Sequence, residues 1–180
     1  MIYVHLADGF EEIEAVTIID VLRRGELNVE SVSITGKKSV KGAHAISVDA
    51  DRLYEEANYE TCEMIVLPGG MPGTTNLCAH DRLIKHIQAF SQNDKYLAAI
   101  CAAPMVLAKA GVLTGKKATI FPGMENHLIG ARLLGDRVVV DGTVITSSAP
   151  GTAMEFAVKL VEILKGKEKA IQLRKSMVME

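Results

Sequence analysis

The chain contains short strand-like runs, either continuously apolar or alternating, and longer stretches whose apolar residues have helical spacing. Most of the strand-like runs end at turn-forming residues, as buried parallel strands do. The runs that predict strands cover residues 2–7, 29–34, 45–48, 64–67 and 97–100. The stretches that predict helices cover residues 11–24, 52–59, 81–91, 102–110, 151–164 and 165–175. This alternation predicts an α/β fold in which a doubly wound, mostly parallel sheet is sandwiched between helices.

One antiparallel hairpin is the exception that the pattern predicts. Residues 138–140 (Val-Val-Val) and 143–146 (Thr-Val-Ile-Thr) read as strands and flank Asp141-Gly142, a pair that takes the positive φ values of a two-residue turn. No repeat, linker or low-complexity segment interrupts the chain. Its 180 residues, 48% of them hydrophobic, suffice for one buried core. We therefore expect a single domain over residues 1–180.

Composition excludes several classes of function. A formal charge of -2 without a long basic run argues against dedicated nucleic-acid binding. The apolar start, residues 2–6, is too short for a signal peptide, and no stretch reaches membrane-spanning length. The cysteines Cys62, Cys78 and Cys101 fit neither a disulfide framework nor a zinc site. We expect a cytoplasmic protein with no metal, and for Cys62 and Cys78 a packing role or an incidental surface position.

Cys101 lies where a predicted strand turns directly into a predicted helix. The run 97–100 stops at this cysteine, and Ala102-Ala103-Pro104 begins the helical stretch. A sulfur held over a helix N-terminus is favoured as an anion, so this nucleophile elbow predicts a reactive thiolate. Free cysteine is also a common buried apolar residue, and the local pattern leaves both interpretations open.

Sites in doubly wound sheets lie beyond the carboxyl ends of the strands. Three turns of this chain fall there: residues 8–14, residues 68–73 and the turn at Cys101. The amides of Gly69 and Gly70, together with that of Ala102, are candidates for an oxyanion hole, although Gly-Gly also serves any tight turn. The glycine-rich turn lacks the lysine of a P-loop and the spacing of a dinucleotide-binding motif, so no cofactor is expected.

Glu14 is the candidate partner of the cysteine. Glu11 and Glu12 lie at the predicted helix start, where carboxylates cap the helix. Glu14 lies one turn further on, between Ile13 and Ala15, which suggests burial. A buried carboxyl has a raised pKa, stays protonated near neutrality and can donate a hydrogen bond to a thiolate.

Four ordered motifs resemble those of the ThiJ/PfpI superfamily, in the branch of the parkinsonism-associated protein deglycase and closest to bacterial YajL-like members. The motifs are GFEEIEAV at 9–16, VLPGG at 66–70, AAICAAP at 98–104 and APGTA at 149–153. The resemblance covers residues 2 to about 169. It implies a flavodoxin-like sandwich and a homodimer, with Cys101 as the reactive cysteine, Glu14 as its protonated partner, and amides from Gly70 and Ala102 around the sulfur.

One position departs from the pattern that this resemblance implies. Human-type members carry a histidine immediately before the proline equivalent to Pro122, and this chain has Phe121, an aromatic residue that YajL-like members share. Phenylalanine cannot transfer protons, which weakens any mechanism that needs a cysteine–histidine pair. His127 is a candidate substitute, although an exposed loop histidine is the commoner case.

Two further positions bear on the resemblance. His44 stands where relatives tend to carry arginine near the dimer interface, so it is a candidate to face the pocket from the partner subunit. Protease members carry a histidine directly after the nucleophile, where this chain has Ala102, which argues against proteolysis.

Three functions remain open from the sequence. The first is an oxidative-stress protein in which peroxide converts the Cys101 thiolate to a sulfinate. The second is a cofactor-independent glyoxalase or deglycase that acts on small 2-oxoaldehydes such as methylglyoxal or on glycated groups, with Cys101 as nucleophile and Glu14 as proton shuttle. The third is a holdase chaperone, for which the sequence offers no positive sign.

Overall fold

The computed structural model describes residues 1–179 of the chain. The strands in this part are β1 Ile2–Leu6, β2 Val29–Ser33, β3 Ser39–Lys41, β4 Ser47–Asp49, β5 Arg52–Leu53, β6 Met64–Leu67, β7 Tyr96–Ile100, β8 Lys117–Ala118, β9 Arg132–Leu133, β10 Val138–Asp141 and β11 Val144–Ser147. The helices are α1 Glu12–Arg24, α2 Gly73–Ala79, α3 Asp81–Gln92, α4 Pro104–Lys109, α5 Ala153–Lys165 and α6 Lys167–Ser176. None of the helices within this range is long and apolar enough to cross a membrane.

Seven of these strands form the central sheet, in the order β10-β11-β7-β6-β1-β2-β5. All neighbours pair in parallel except β10 and β11, the predicted hairpin. After β1 the chain adds β2 on one side of β1, and it later adds β6 on the other side of β1. Ligands of doubly wound sheets bind at such a reversal. The turns after β1 and β6 therefore face each other at the carboxyl edge of the sheet.

Helices cover both faces of the sheet, because successive strand residues point to opposite sides. Ile2, Val4 and Leu6 pack in one core with buried residues of α1, α5 and α6. Tyr3 and Ile65 lie in the other core, with buried residues of α2, α3 and α4. Strands buried on both faces read as nearly continuous apolar runs, which is why the sequence predicts the α/β fold correctly.

The helix predicted over residues 52–59 is wrong. Arg52–Leu53 instead forms edge strand β5 and pairs with Val32 and Ser33, and Tyr54–Glu56 makes a single 3-10 turn. Polar composition suggested a helix here, but tertiary contacts decide the conformation because the Tyr54 side chain is buried against β1.

Several shorter elements differ from the sequence prediction. A second antiparallel hairpin joins β3 to β4, where the sequence predicts one strand over 45–48. Helix α2 follows the glycine-rich turn and was not predicted, and β8 and β9 form a small parallel pair. Gly166, at φ 89°, separates α5 from the predicted C-terminal helix, which is α6.

A buried cluster of histidine and tyrosine side chains fills the core beside α3. His5 is fully buried, and its Nε2 forms a 2.6 Å hydrogen bond with the Tyr59 hydroxyl. The Tyr59 ring stacks on His86, whose Nδ1 bonds the Tyr54 hydroxyl at 2.7 Å. Burial lowers the pKa of His5 to about 3, with a further contribution from His80 and His86.

The lowered pKa of His5 predicts a loss of stability in mild acid. Folded His5 stays neutral below pH 6.5 while the unfolded chain takes up the proton, so stability falls as pH decreases from 6.5 toward 3. Between pH 7 and pH 5 this difference in proton uptake lowers the free energy of unfolding by about 2 kcal/mol. We expect the free energy of unfolding of His5→Phe, measured in urea, to fall between pH 7 and pH 5 by less than that of wild type, and the difference to be this amount. Replacement of the exposed His127 by Gln is the control, and an unchanged difference in His5→Phe would contradict the assignment.

Candidate active site

Cys101 occupies a sharp turn between β7 and α4. Its φ is 62°, in the left-handed region that residues with a side chain seldom adopt, at a cost of about 1–2 kcal/mol. Two backbone hydrogen bonds of 2.9 Å hold it there: its amide donates to the Ser147 carbonyl, and its carbonyl accepts from the Phe121 amide. The side chain is nearly buried, with the residue 9% exposed. The turn directs the sulfur into the crevice between β1 and β6.

Glu14 projects from the first turn of α1 into the same place. Glu11 caps this helix by accepting a 2.8 Å hydrogen bond from the Glu14 amide, as predicted. The Glu14 side chain is fully buried, and its Oε2 accepts a 2.7 Å hydrogen bond from the Gly69 amide. The other oxygen, Oε1, is buried without an ordinary hydrogen-bond partner among the described residues, and the Cys101 thiol is the side chain with which the carboxyl interacts.

The two side chains titrate as a pair. Burial raises the pKa of Glu14 to about 7, against the opposing effect of the Gly69 hydrogen bond. Burial, followed by the charge and hydrogen bond of an ionised Glu14, raises the pKa of the Cys101 thiol to about 12. The sequence predicts the opposite direction for Cys101. Burial makes the largest contribution to this difference, and an ionised Glu14 adds to it by repelling a thiolate, a repulsion that protonation of Glu14 removes.

Backbone amides surround the sulfur, but not all of those predicted. The amides of Ala102 and Gly70 reach Sγ, and both lower the pKa of Cys101. The amide of Gly69 donates to Glu14 Oε2 instead of to the sulfur. Gly69 instead orients the carboxyl. A sequence cannot distinguish these roles, because neighbouring glycines differ here only in the direction of their N–H bonds.

Phe121 contributes its backbone to this site. Its amide holds the Cys101 carbonyl, while its ring is 40% exposed. The sequence predicts neither this contact nor the one between Cys101 and the Ser147 carbonyl. Both involve backbone atoms, which residue types do not reveal.

The two candidate histidines lie elsewhere. His127 ends an exposed 3-10 turn and lines a surface cavity of about 330 Å³ with Cys78 and Lys109, away from the residues around Sγ. His44 is exposed in the β3–β4 hairpin and bonds Glu12, whose hydrogen bond and charge raise the pKa of His44. No histidine of the described residues 1–179 contacts Cys101. That His44 faces the pocket of a partner subunit stays a prediction.

The other cysteines differ from Cys101 in their surroundings. The Cys62 thiol is buried and donates to the Met64 carbonyl at 3.2 Å, and burial raises its pKa to about 11. Cys78 is half-buried, and burial raises its pKa as well. Within residues 1–179, neither has a carboxyl partner of the kind that Glu14 provides to Cys101. Both therefore provide internal comparisons for the reactivity of Cys101.

The fold and the site define a class: a doubly wound α/β protein with an elbow cysteine facing a buried glutamate. The chain belongs to the DJ-1/PfpI family, whose sequence profile matches residues 1–163. Protein dj-1beta of Drosophila melanogaster is 37% identical over 96% of this chain and 94% of its own length. The Caenorhabditis elegans glutathione-independent glyoxalase DJR-1.2 is 34% identical over 92% and 88%.

Other relatives are longer than this chain. Protein DJ-1 homolog B of Arabidopsis thaliana is 41% identical over 97% of the chain, which spans only 40% of that relative. Among solved structures, Drosophila melanogaster DJ-1beta superposes with a TM-score of 0.96 at 36% identity, covering 99% of this chain and 97% of that one. Oxidised Toxoplasma gondii DJ-1 superposes with a TM-score of 0.95 at 35% identity and the same coverage. These likenesses confirm the flavodoxin-like fold.

Proposed function

We propose that the protein is a redox-responsive member of its family in which peroxide oxidises Cys101. The observation that carries this proposal is the fully buried Glu14 carboxyl, which interacts with the Cys101 thiol and whose Oε1 has no hydrogen-bond partner among the described residues. A buried acceptor left without a donor is unfavourable by about 1–3 kcal/mol. The pair is stabilised when Glu14 carries the shared proton and donates a hydrogen bond to a Cys101 thiolate.

Oxidation follows in two steps. The thiolate attacks one oxygen of hydrogen peroxide, which gives a sulfenate and water, and a second peroxide converts the sulfenate to a sulfinate and a second water. Each step removes two electrons from sulfur. The amides of Gly70 and Ala102 and the protonated Glu14 supply hydrogen bonds to the new oxygens. These charge-assisted bonds stabilise the sulfinate.

A cofactor-independent glyoxalase is the second candidate, supported by the C. elegans relative of that name. The thiolate of Cys101 would add to the aldehyde carbon of methylglyoxal and form a hemithioacetal. Glu14 would move the proton from that carbon to its neighbour, which leaves a thioester that water hydrolyses to lactate and the free thiol. No histidine assists among the described residues, so we expect slow turnover.

Two broader properties rest on the family resemblance. We propose a homodimer that acts in the cytoplasm, with small 2-oxoaldehydes or oxidants as its partners. Deglycation of protein or nucleotide groups would use the same thiolate and is a variant of the second candidate.

One preparation titrated with peroxide tests both functions. We expect intact-protein mass spectrometry to show two added oxygens on Cys101 before Cys62 or Cys78 reacts. Lactate formation from methylglyoxal should fall in step with this oxidation, and Cys101→Ser should show neither. Oxidation that begins at Cys62 or Cys78 would contradict the redox proposal, while activity that survives full oxidation of Cys101 would contradict the glyoxalase mechanism.

A further inference from the structure

A pair of buried hydroxyl groups lies next to the Cys101 turn, at the end of β11. Ser147, the last residue of this strand, is fully buried, and Thr152 is 3% exposed. Their hydroxyl oxygens lie 2.6 Å apart. The Ser147 hydroxyl also reaches the Arg137 carbonyl at 2.7 Å, and Thr152 Oγ1 accepts from the Ala149 amide at 3.2 Å.

Both hydroxyl protons of this pair have acceptors. Two oxygens 2.6 Å apart share a proton, so one hydroxyl donates to the other. If Thr152 donates, the Ser147 proton goes to the Arg137 carbonyl; if Ser147 donates, the Thr152 proton goes to the Ala149 carbonyl, 2.8 Å away. Fully satisfied buried networks are rigid. The motif at residues 149–153 therefore supplies one half of a rigid pair.

The backbone of Ser147 connects this pair to the reactive cysteine. Its carbonyl accepts from the Cys101 amide at 2.9 Å, one of the two bonds that keep Cys101 at φ 62°. The Ser147 hydroxyl joins Arg137, directly before β10, to Thr152, directly before α5. Because Ser147 is held from both sides, its carbonyl stays in place and opposes relaxation of the strained turn.

We propose that the hydroxyls of Ser147 and Thr152 are positioning groups for the Cys101 sulfur. They fix the carbonyl that holds the Cys101 amide, and the turn then directs the sulfur to the amides of Gly70 and Ala102. These amides favour the thiolate, so the hydroxyl pair controls its reactivity without contributing an atom to the reaction. The inference rests on the proposed role of Cys101 as a reactive thiolate.

Thr152→Val tests the proposal, because valine keeps the branched shape of threonine and removes the hydroxyl. We expect alkylation of Cys101 by iodoacetamide at pH 7 to slow at least threefold and its pH profile to move to higher pH, since a displaced sulfur loses hydrogen bonds that favour the thiolate. Threefold corresponds to about 0.65 kcal/mol, within the net contribution of one hydrogen bond. Peptide mass spectrometry distinguishes Cys101 from Cys62 and Cys78.

Two further variants separate positioning from stability. Thr152→Ser keeps the hydroxyl and should restore the alkylation rate to within about twofold of wild type. Ser31→Ala is the matched control, because Ser31 is also buried and its hydroxyl bonds Asp51 at 2.7 Å, on strand β2, three strands from β7. It should lower the free energy of unfolding in urea and leave Cys101 alkylation unchanged.

Ser147→Ala acts on the same hydrogen bond from the other side. The Arg137 carbonyl keeps the Ser148 amide as a donor at 3.2 Å, and the Thr152 hydroxyl keeps the Ala149 carbonyl. We therefore expect a folded protein in which Cys101 alkylation slows as in Thr152→Val. This variant decides the question if Thr152→Val does not fold.

A wild-type alkylation rate in folded Thr152→Val or Ser147→Ala would overturn the inference, and so would equal slowing in Thr152→Ser or Ser31→Ala. Alkylation reports on the thiolate without peroxide or an oxoaldehyde. If peroxide does not oxidise wild-type Cys101 but the hydroxyl variants still slow its alkylation, the proposed function fails and the positioning role stands. If peroxide oxidises Cys101 equally fast in wild type and in both hydroxyl variants, only the positioning role fails.

Discussion

Glu14→Gln slows the oxidation of Cys101 by peroxide about tenfold. Glutamine keeps the shape of the side chain and an acceptor for the Gly69 amide, so the fold is preserved. It replaces a carboxyl O–H donor by a weaker amide N–H donor beside the sulfur. A hydrogen bond to a charged group weakened by about 1.4 kcal/mol raises the thiol pKa by about one unit, and the thiolate fraction falls accordingly.

Stopped-flow oxidation and the pH dependence of Cys101 alkylation measure this effect. Glu60→Gln, an exposed substitution, is the matched control. The opposite result is as informative as the expected one. If Glu14 were ionised beside a neutral thiol, its neutralisation would lower the pKa of Cys101, and Glu14→Gln would react faster than wild type.

Gly70→Ala destabilises the protein by more than about 3 kcal/mol and disrupts the amide that faces the sulfur. Gly70 has φ 89°, a conformation that alanine adopts with strain. A methyl group on it would lie 2.6 Å from the Gly9 carbonyl oxygen, 2.7 Å from the Phe10 carbonyl carbon and against the Glu11 amide. These are backbone atoms of the turn that leads into α1, so they cannot rotate away.

Gly36→Ala separates strain from steric overlap. Gly36 has a similar φ of 78°, and an added methyl group would meet nothing within 4 Å. We expect this variant to lose only about 1 kcal/mol. Urea unfolding of both variants gives the comparison, and equal losses would show that close packing at Gly70 contributes nothing.

The sequence predicts the main features of the site because they depend on topology. Cys101 and Glu14 are far apart in the chain, yet each follows the carboxyl end of a central strand, and parallel strands bring those ends to one edge. The apolar runs that reveal β1, β6 and β7 therefore place both side chains at one edge of the sheet, while the contact between them comes from the structure. The four motifs of the family agree with this placement.

Other features depend on the direction of individual bonds or on distant packing, which residue types do not encode. The Gly69 amide turns to Glu14 and the Gly70 amide to the sulfur, although both residues are glycine. The ring of Tyr54 is buried in the core, and this packing holds residues 52–56 at the sheet edge although their composition favours a helix. The approach of His44 to Glu12 follows from the unpredicted β3–β4 hairpin.

Cys101 is a residue that selection for folding alone would not choose. Glycine at position 101 would adopt φ 62° without steric cost, and the two backbone hydrogen bonds of the turn would remain. The chain instead retains a side chain in a conformation unfavourable by about 1–2 kcal/mol, a sizeable part of the 5–15 kcal/mol that keeps a domain folded. A loss of stability at one position is typical of residues that act through a reactive atom, the role that we propose for Cys101.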